Sequence, residues 1–244
     1  MNRTEGSDTR PVLAILCNCP DPKSGRSVLR DAVGDQAVEQ FRTLCLDLLQ
    51  KELPLLHDIY DLAICPSREE DREWVELKFP YAEYVIPQPE GAQGERLHTI
   101  VQALRTMGHE KVVVLGADCP SLPMHYLRVI RRLFRDKDAV IGPTQNGDVY
   151  VFGVGKDVPE LESVHWGSAD TFGELASVLS RHGMKLGIAP PWYRVTDEHA
   201  FHRAAEDLQI SHSLARQQFG MWIESVVEGG MEVGKEWGDR SLYS

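Results

Sequence analysis

The residues best suited to chemistry lie in the stretch 110–123, E-K-V-V-V-L-G-A-D-C-P-S-L-P, in which the carboxylate of Asp118 follows an apolar run. Four successive apolar residues, 112–115, predict a strand that is buried on both faces, as in the centre of a parallel sheet. Such sheets bind ligands at the carboxyl ends of their strands, and Gly116 allows the backbone to turn or to approach a ligand closely. We therefore expect Asp118 to lie in a ligand crevice; the alternative is that it only caps the following helix.

Alternating apolar runs and helical patterns place this turn in an α/β sheet. Strands are predicted at 11–17, 59–65, 84–86, 112–115 and 139–141, and helices at 35–53, 67–78, 94–108 and 124–135. This alternation of strand and helix predicts a mostly parallel sheet with helices on both faces. The expected fold class is α/β, as a single three-layer α/β/α domain.

The pattern changes after residue 141. The turn residues 145–148, Q-N-G-D, lead directly into the apolar run 149–154. Because no helix separates this run from the preceding strand, we predict a hairpin and one antiparallel strand in a mixed sheet. Further helices are predicted at 171–182 and 198–208, with short strands at 186–189 and 192–195.

Three regions are expected along the chain: a flexible leader at 1–10, the α/β domain at 11–208, and a C-terminal helix and tail at 209–244. The last region carries Leu214, Met221 and Trp222 on an apolar helical face. We expect this face either to pack on the domain or to form a homodimer contact.

Composition narrows the class of protein. The net charge of −11 over 244 residues disfavours binding to nucleic acid and to anionic membranes. The five cysteines have irregular spacing and form no C-x-x-C pair, which argues against a disulfide framework and a zinc finger. No apolar run reaches the length of a membrane span, and the N-terminus lacks the apolar core of a secretory signal. We therefore expect a cytoplasmic protein.

Four separated pieces within residues 11–208 resemble the motifs of a known family. The strongest is 116–122, G-A-D-C-P-S-L, which is similar to G-[TS]-D-C-P-x-L. The other three are 88–97, Q-P-E-G-A-Q-G-E-R-L, similar to Q-x-x-G-x-L-G-x-R; 146–153, N-G-D-V-Y-V-F-G, similar to D-G-G-Y-Y-L-I-G; and 166–168, W-G-S, similar to W-S-T. The family is the small bacterial group of uncharacterised glycosyltransferase A-type proteins described as nucleotide-diphospho-sugar transferases.

This resemblance implies an enzyme that transfers a group from a nucleotide-activated donor, in the first place a glycosyltransferase acting on a nucleotide sugar. Guanylyltransferases are distant relatives of the same fold, so nucleotidyl transfer to a phosphorylated small molecule stays open. Negative charge builds on the leaving phosphate in both reactions, which implies a Mg²⁺ or Mn²⁺ cofactor. Asp118 is the expected catalytic residue and metal ligand, Asp148 is the expected second ligand, and Asn146 can supply a neutral carbonyl oxygen.

The resemblance also assigns residues to nucleotide or donor binding. Arg26 would contact phosphate from the loop after the first strand, unless that loop is only a solvated basic segment. The helix start at Glu95 would favour an anion, unless Glu95 only complements the helix dipole and Arg96 is exposed. The full set is Pro20, Gly25, Arg26, Gln88, Gly94, Glu95, Arg96, Gly116, Cys119, Pro120, Asn146, Gly147, Tyr150 and Trp166.

Four side chains of the set and its neighbourhood allow more than one interpretation. Trp166 either stacks on a sugar or base or is a half-buried packing residue. His165 beside it is not assigned a catalytic role, because a loop histidine is more often a surface residue. Cys19 and Cys119, at adjacent strand ends, either form a thiolate site for a soft ion or are small buried apolar residues.

Several polar positions depart from the family motifs. The opening loop reads C-N-C-P-D-P-K-S-G-R-S-V-L against A-K-A-P-x-P-G-x-x-K-T-R-L, so Asn18 and Val28 stand at basic positions while Lys23 and Arg30 remain nearby. Residues 194–197 read R-V-T-D where D-[VI]-D-T is usual. These changes leave a third hypothesis open, namely a degenerate, non-catalytic module that binds a nucleotide or a partner.

Overall fold

The computed structural model describes residues 10–21, 27–155 and 158–229. The chain divides into two compact units. The first contains the residues up to Cys19 together with Cys45–Arg194, and the second contains Pro20–Leu44 and the residues from Val195 onward. The helix before residue 208 groups with the C-terminal helix in the second unit, and the predicted domain boundaries stay a prediction.

A seven-stranded sheet forms the centre of the first unit. The strands are β1 (Val12–Cys17), β2 (Asp61–Pro66), β3 (Tyr84–Val85), β4 (Val112–Gly116), β5 (Ala139–Pro143), β6 (Val149–Val154) and β7 (Leu186–Ile188), in the order β3-β2-β1-β4-β6-β5-β7. Strand β6 runs antiparallel to β4 and β5, and the other pairings are parallel. The predicted mostly parallel, mixed α/β sheet is confirmed, including the hairpin and its antiparallel strand.

Helices cover both faces of this sheet. The C-terminal part of α2 (Asp35–Glu52), α3 (Arg72–Lys78) and α5 (Met124–Leu133) pack on one face, and α4 (Gln93–Thr106) and α6 (Thr171–Arg181) pack on the other. Successive residues of β1 alternate between the two cores, with Leu13 and Ile15 in one and Val12 and Ala14 in the other. This alternation is the period of two that a strand imposes on its side chains.

The local differences from the predicted elements have local causes. A short helix, α1 (Val28–Val33), is not predicted by apolar periodicity, and it begins where the Ser27 side chain accepts a hydrogen bond from the backbone N of Arg30. The helix predicted from residue 67 starts with a 3₁₀ turn, Glu69–Asp71. The strand predicted at 192–195 is a single parallel bridge between Trp192 and Thr144.

The second unit contains α1, the first part of α2, α7 (Glu198–Gln209) and α8 (Leu214–Val227). Aromatic rings form its core: the ring centroid of Phe201 lies 5.5 Å from that of Phe41 and 6.1 Å from that of Trp222. Part of the apolar face of α8 is therefore buried within the unit, while Leu214 and Met221 are exposed. The homodimer contact through this helix stays a prediction.

None of the described helices combines the length and the apolar character that a membrane crossing requires.

Candidate functional site

Asp118 lies directly after the central strand β4, as the sequence predicts. Strand β4 pairs with β1 on one side and with β6 on the other. The backbone N of Ala117 donates to the carbonyl of Leu16 at 2.9 Å, which ties the turn to the end of β1. A Cβ atom at Gly116 would lie 2.4 Å from Oδ1 of Asp118. Glycine therefore leaves the space into which the carboxylate folds back over the end of the strand.

The Asp118 carboxylate does not cap the next helix. The N-cap residue of α5 is Pro123, and no side chain makes a cap hydrogen bond there. Oδ2 of Asp118 instead accepts two hydrogen bonds from Arg194, from Nε at 3.0 Å and from Nη2 at 2.8 Å. Its side chain is 28% exposed, so the carboxylate is held by an ion pair and is still open to a ligand.

Asp148 belongs to the same ion pair. Nη1 of Arg194 donates to Oδ2 of Asp148 at 3.0 Å. Asp148 is only 8% exposed, and its Oδ1 is buried with no hydrogen-bond partner among the described residues. The two carboxylates that we predict as partners thus lie together, and the cation between them is a guanidinium.

The segment after β7 positions Arg194. The backbone N of Trp192 donates to the carbonyl of Pro143 at 3.1 Å, beside the bridge to Thr144. Oγ of Ser121 donates to the hydroxyl of Tyr193 at 2.7 Å. These contacts attach the segment to the ends of β5 and to the turn after β4. The next side chain, that of Arg194, consequently reaches both carboxylates.

Electrostatics keep this guanidinium charged. Attraction by Asp118 raises the pKa of Arg194, against the opposing effect of burial. The three side chains carry one net negative charge in their ordinary ionised forms. Removing one partner of an ion pair that is largely buried leaves an uncompensated charge. The three side chains therefore depend on one another for their stability.

A divalent cation does not fit this arrangement as the residues stand. Mg²⁺ takes about six oxygen ligands in near-octahedral geometry, and proteins often supply only one or two carboxylates while water and substrate phosphates supply the rest. No group of three or more His, Cys, Asp or Glu side chains in the described ranges is placed to hold a metal ion. One oxygen of each carboxylate already accepts from Arg194, and the side-chain oxygen of Asn146 accepts from the hydroxyl of Thr144. One oxygen atom of each predicted metal ligand, Asp118 and Asp148, is therefore already bound to an internal cation.

The cysteines give no support to a thiolate site. All five are buried, and Cys17, Cys19 and Cys119 belong to one apolar core. Burial raises the pKa of the Cys119 thiol, and a hydrogen bond with Cys19 raises the pKa of Cys17. Sγ of Cys119 lies 3.8 Å from Oδ1 of Asp118 as a weak donor. These thiols therefore act as small buried groups, the second of the two interpretations above.

The hairpin between β5 and β6 places Asp148 through its turn glycine. Gly147 has φ of +87°, and a Cβ atom there would lie 2.1 Å from the carbonyl oxygen of Ala169. Asn146 is exposed at the tip of the turn. Tyr150 is buried, and its hydroxyl donates to the carbonyl of Pro190 at 2.9 Å. Tyr150 thus holds the segment that leads to Arg194, and its predicted contact with a ligand stays a prediction.

We expect Gly147→Ala to lower the free energy of unfolding by about 2–4 kcal/mol, because a positive φ and a backbone clash are both imposed on alanine. Gly167→Ala is the matched control, since Gly167 has φ of +74° with nothing within 4 Å of the added Cβ atom. The free energy of unfolding of this control should fall by about 1 kcal/mol, from backbone strain alone. Urea unfolding of both variants measures the difference, and equal losses would contradict the close contact with Ala169.

The loop between β3 and α4 ends at the same edge of the sheet. Nε2 of Gln88 donates to the carbonyl of Cys65 at the end of β2, at 2.8 Å. Arg96 donates from Nη1 to Oε1 of Gln88 at 3.5 Å and from Nη2 to Oε1 of Gln93 at 3.1 Å. The Nε of Arg96 is buried without a hydrogen-bond partner in the described part of the chain. Arg96 therefore brings a cation with an unused donor to this edge.

The other two residues at the start of α4 have structural roles. The side chain of Glu95 accepts from the backbone N of Ala92 at 2.8 Å, which stabilises the first turn of the helix. A Cβ atom at Gly94 would lie 2.3 Å from the carbonyl oxygen of Leu161. Gly94 is thus explained by close packing, and the helix start favours the interpretation in which Glu95 serves the helix.

His165 and Trp166 lie in the loop before α6. Nδ1 of His165 lies 2.8 Å from Oε1 of Glu174, and Oε2 of the same carboxylate accepts from the backbone N of His165 at 2.7 Å. Trp166 is half-buried against the core on the sheet face that α4 and α6 cover. Its Nε1 donates to the carbonyl of Leu161 at 3.3 Å. This contact favours the packing interpretation for Trp166.

The pair of His165 and Glu174 predicts a pH dependence. The hydrogen bond with Glu174 raises the pKa of His165, and the hydrogen bond from the backbone of His165 lowers the pKa of Glu174. A raised histidine pKa stabilises the fold fully below about pH 6.5, and this contribution is lost as the pH rises through the folded-state pKa. The lowered glutamate pKa stabilises above about pH 4.3 and is lost as the pH falls through the folded-state pKa.

We expect NMR titration to give His165 a pKa above its ordinary value and Glu174→Gln to return it toward that value. His202, whose Nε2 lies 3.8 Å from Oε1 of Glu198, is the internal control in the same spectra. An unchanged His165 pKa in Glu174→Gln would contradict the pair.

The predicted phosphate loop is only partly described. Gly25, Arg26 and Lys23 lie outside the described residues. Pro20 is half-buried and belongs to the second unit. Arg30 is buried and forms ion pairs with Asp35, at 2.9 Å, and with Glu39. The phosphate contacts of Arg26 stay a prediction, while Arg30 already has carboxylate partners.

Arg194 is not among the site residues that the sequence predicts. Its signal is the departure R-V-T-D at 194–197, where the family motif begins with an aspartate. A charge of the opposite sign at an expected carboxylate position indicates a change in the charge balance of the site. That departure, taken together with the two lone carboxylates, is what could have identified Arg194.

Comparison with known proteins gives a family match over part of the chain. Residues 55–168 match the model of a family described as an uncharacterized protein conserved in bacteria, DUF2064. The matched region runs through the β4 turn and the hairpin, and the resemblance predicted from the sequence is confirmed. No curated protein sequence matches the chain significantly.

Solved structures share the fold. A protein of Desulfovibrio desulfuricans G20 named "putative nucleotide-diphospho-sugar transferase" superposes with a TM-score of 0.76 at 19% identity, over 90% of this chain and 97% of that one. A cytidylyltransferase of Leptospira borgpetersenii gives 0.54 at 13% identity, over 90% and 94%. A 4-diphosphocytidyl-2C-methyl-D-erythritol synthase of Anaerococcus prevotii gives 0.51 at 10% identity, over 78% and 92%. The chain therefore has the nucleotide-diphospho-sugar transferase-like fold.

Proposed function

We propose that this chain is a transferase that uses a nucleotide-activated donor, with a nucleotide sugar as the donor. The observation that carries the proposal is the partly exposed carboxylate of Asp118 at the carboxyl end of the central strand β4. The order β2-β1-β4 places the ends of three parallel strands together at that edge. Open α/β sheets bind their ligands there.

Unused polar groups at this edge support a polar ligand. Oδ1 of Asp148 is a buried acceptor and Nε of Arg96 a buried donor, each without a partner among the described residues. Buried polar atoms are rarely left unpaired in a protein with its ligand bound. A sugar or ribose hydroxyl matches the acceptor, and a phosphate oxygen matches the donor.

The same groups suit the chemistry of transfer. As the bond to the donor phosphate breaks, negative charge builds on the leaving phosphate oxygens. Arg96 and Arg194 offer N–H donors to those oxygens, and Asp118 holds Arg194 in place. The name of the Desulfovibrio protein, which has this fold, supports a nucleotide-diphospho-sugar as the donor.

Nucleotidyl transfer to a phosphorylated small molecule is the second candidate. The names of two proteins favour it: the Leptospira protein is a cytidylyltransferase, and the Anaerococcus protein is a synthase of a diphosphocytidyl compound. Their TM-scores are lower than that of the Desulfovibrio protein, so we rank this reaction second. A nucleoside triphosphate that stabilises the chain more than every nucleotide sugar would reverse the ranking.

A thermal-shift screen of nucleoside diphosphates, nucleoside triphosphates and nucleotide sugars tests the proposal. We expect at least one nucleotide sugar to raise the melting temperature of the wild type by about 5–11 °C when it is present at about 100 times its Kd. We expect Asp118→Ala to abolish this shift. Asp136→Ala is the matched control, because Asp136 is an exposed carboxylate just before β5, at the opposite edge of the sheet. No shift with any nucleotide would contradict both transferase functions and favour a non-catalytic module.

A further inference from the structure

The expected metal position between Asp118 and Asp148 is filled by a side chain of the chain itself. Three N–H groups of Arg194 bind the two carboxylates, at 2.8 to 3.0 Å. A divalent cation between the two carboxylates would compete with Arg194 for them and balance the same negative charges. A guanidinium and a metal ion are therefore alternatives at this position.

We propose that Arg194 takes the place of the divalent cation, so that the site binds its nucleotide-activated donor without a metal ion. The inference about donor binding rests on the proposed function, whereas the exclusion of a metal by Arg194 does not. A guanidinium has five N–H donors, of which three are used here, and the remaining donors can reach a phosphate oxygen.

The surroundings of Arg194 show that the position is built rather than incidental. The backbone hydrogen bond of Trp192 and the hydrogen bond between the side chains of Ser121 and Tyr193 hold the two residues that precede Arg194. Asp148 is only 8% exposed, so its negative charge requires a resident cation even when no ligand is bound. A metal that arrived only with the donor would leave this carboxylate unpaired in the free protein, whereas Arg194 is always present.

The charge balance explains how a donor phosphate is attracted. The two aspartates and Arg194 keep one net negative charge, which by itself repels a phosphate. Arg96, at the end of β2 through its contact with Gln88, adds the compensating positive charge at the same edge. The unpartnered Oδ1 of Asp148 then remains as an acceptor for a hydroxyl group of the ligand.

Titration with Mn²⁺ alone, followed by electron paramagnetic resonance of the free ion, tests the exclusion of a metal. We expect the wild type and Asp118→Asn to bind Mn²⁺ equally weakly. We expect Arg194→Met to gain a site at least about tenfold tighter, because the two carboxylates lose their internal cation. Adding Asp148→Asn to Arg194→Met should remove that site, and Arg194→Lys should not create it.

The contrary results are equally specific. A wild-type Mn²⁺ site that Asp118→Asn abolishes would overturn the proposal, and so would a folded Arg194→Met variant that gains no site. If Arg194→Met does not fold, the comparison of wild type with Asp118→Asn decides the question alone.

A second arm uses a nucleotide that stabilises the wild type in the thermal-shift screen. Its shift should be the same in EDTA and in Mn²⁺, and a shift that requires Mn²⁺ would overturn metal-free binding. Absence of a shift with every nucleotide contradicts the proposed function, while the titration with Mn²⁺ alone still decides the role of Arg194. The two failures are therefore distinguishable.

Discussion

Arg194→Met is expected to lower the free energy of unfolding by about 2–4 kcal/mol, somewhat less than the loss of about 3–5 kcal/mol typical of removing one partner of a fully buried ion pair. The substitution removes the cation and leaves Asp148, 8% exposed, as an uncompensated charge beside Asp118. The side chains of Arg194 and Asp118 are each 28% exposed, so water offsets part of the full cost. Urea unfolding monitored by tryptophan fluorescence measures the loss.

A double variant separates the charge from the packing of the long side chain. The double variant Arg194→Met with Asp148→Asn should lose less unfolding free energy than the two single variants lose in sum. We expect the difference to be about 1–3 kcal/mol, because neighbouring groups in one network are coupled. Arg128→Met is the surface control, because Arg128 and its partner Asp58 are largely exposed. It should lose less than about 1 kcal/mol. An Arg194→Met loss as small as that of the control would contradict the ion pair.

The second large effect is on the reaction. Asp118→Asn should slow turnover of the nucleotide-activated donor by about 10²–10³-fold, the range for loss of one preorganised hydrogen-bond donor at a developing negative charge, because Arg194 is no longer held in place. Asparagine keeps the size of the side chain but loses the charge that holds Nε and Nη2 of Arg194. Release of nucleoside diphosphate from the donor that stabilises the wild type measures the rate.

A matched variant shows whether this effect is local. Asp136→Asn removes an exposed carboxylate at the opposite edge of the sheet and should leave the turnover rate unchanged. The folded state of Asp118→Asn is checked by its unfolding curve. Wild-type turnover by a folded Asp118→Asn variant would show that the reaction takes place elsewhere.

Much of the fold follows from local patterns. The runs at β1 and β4 are apolar on successive residues because both faces of these strands are covered, and they pair in parallel as their sequence indicates. The turn at Gly147 predicts the hairpin because its positive φ favours glycine. These patterns are read from consecutive residues, which is why the sequence predicts the elements, although β1 and β4 are far apart in the chain.

The parts that the sequence does not predict depend on distant partners. The sequence predicts a strand at residues 192–195, but in the structure Trp192 pairs only through a single bridge with Thr144, just after the end of β5. Arg194 lies 76 positions from Asp118 and 46 from Asp148, so no local pattern reveals their ion pair. Likewise, the grouping of α7 with α8 rests on the packing of Phe201 and Trp222, which periodicity alone does not specify.

The sequence predicts where the candidate site lies, but it does not predict that the cation between the two carboxylates is the guanidinium of Arg194. Asp118 and Asp148 each stand beside a turn glycine at a strand end, and that context identified them. The nature of the cation between them could not be read from either residue, because a carboxylate pair suits a metal ion and a guanidinium equally well. Only the position of Arg194 in the fold distinguishes the two.

A crystal structure with the nucleotide that most stabilises the wild type would test the central claim most directly. We predict its phosphate groups at the carboxyl ends of β1 and β4, with oxygen atoms within about 3 Å of N–H groups of Arg194 or Arg96. A ligand hydroxyl should lie at Oδ1 of Asp148, and the bonds between Arg194 and the two aspartates should persist. A nucleotide bound elsewhere, with Oδ1 of Asp148 still unpaired and Asp118 untouched, would contradict the account.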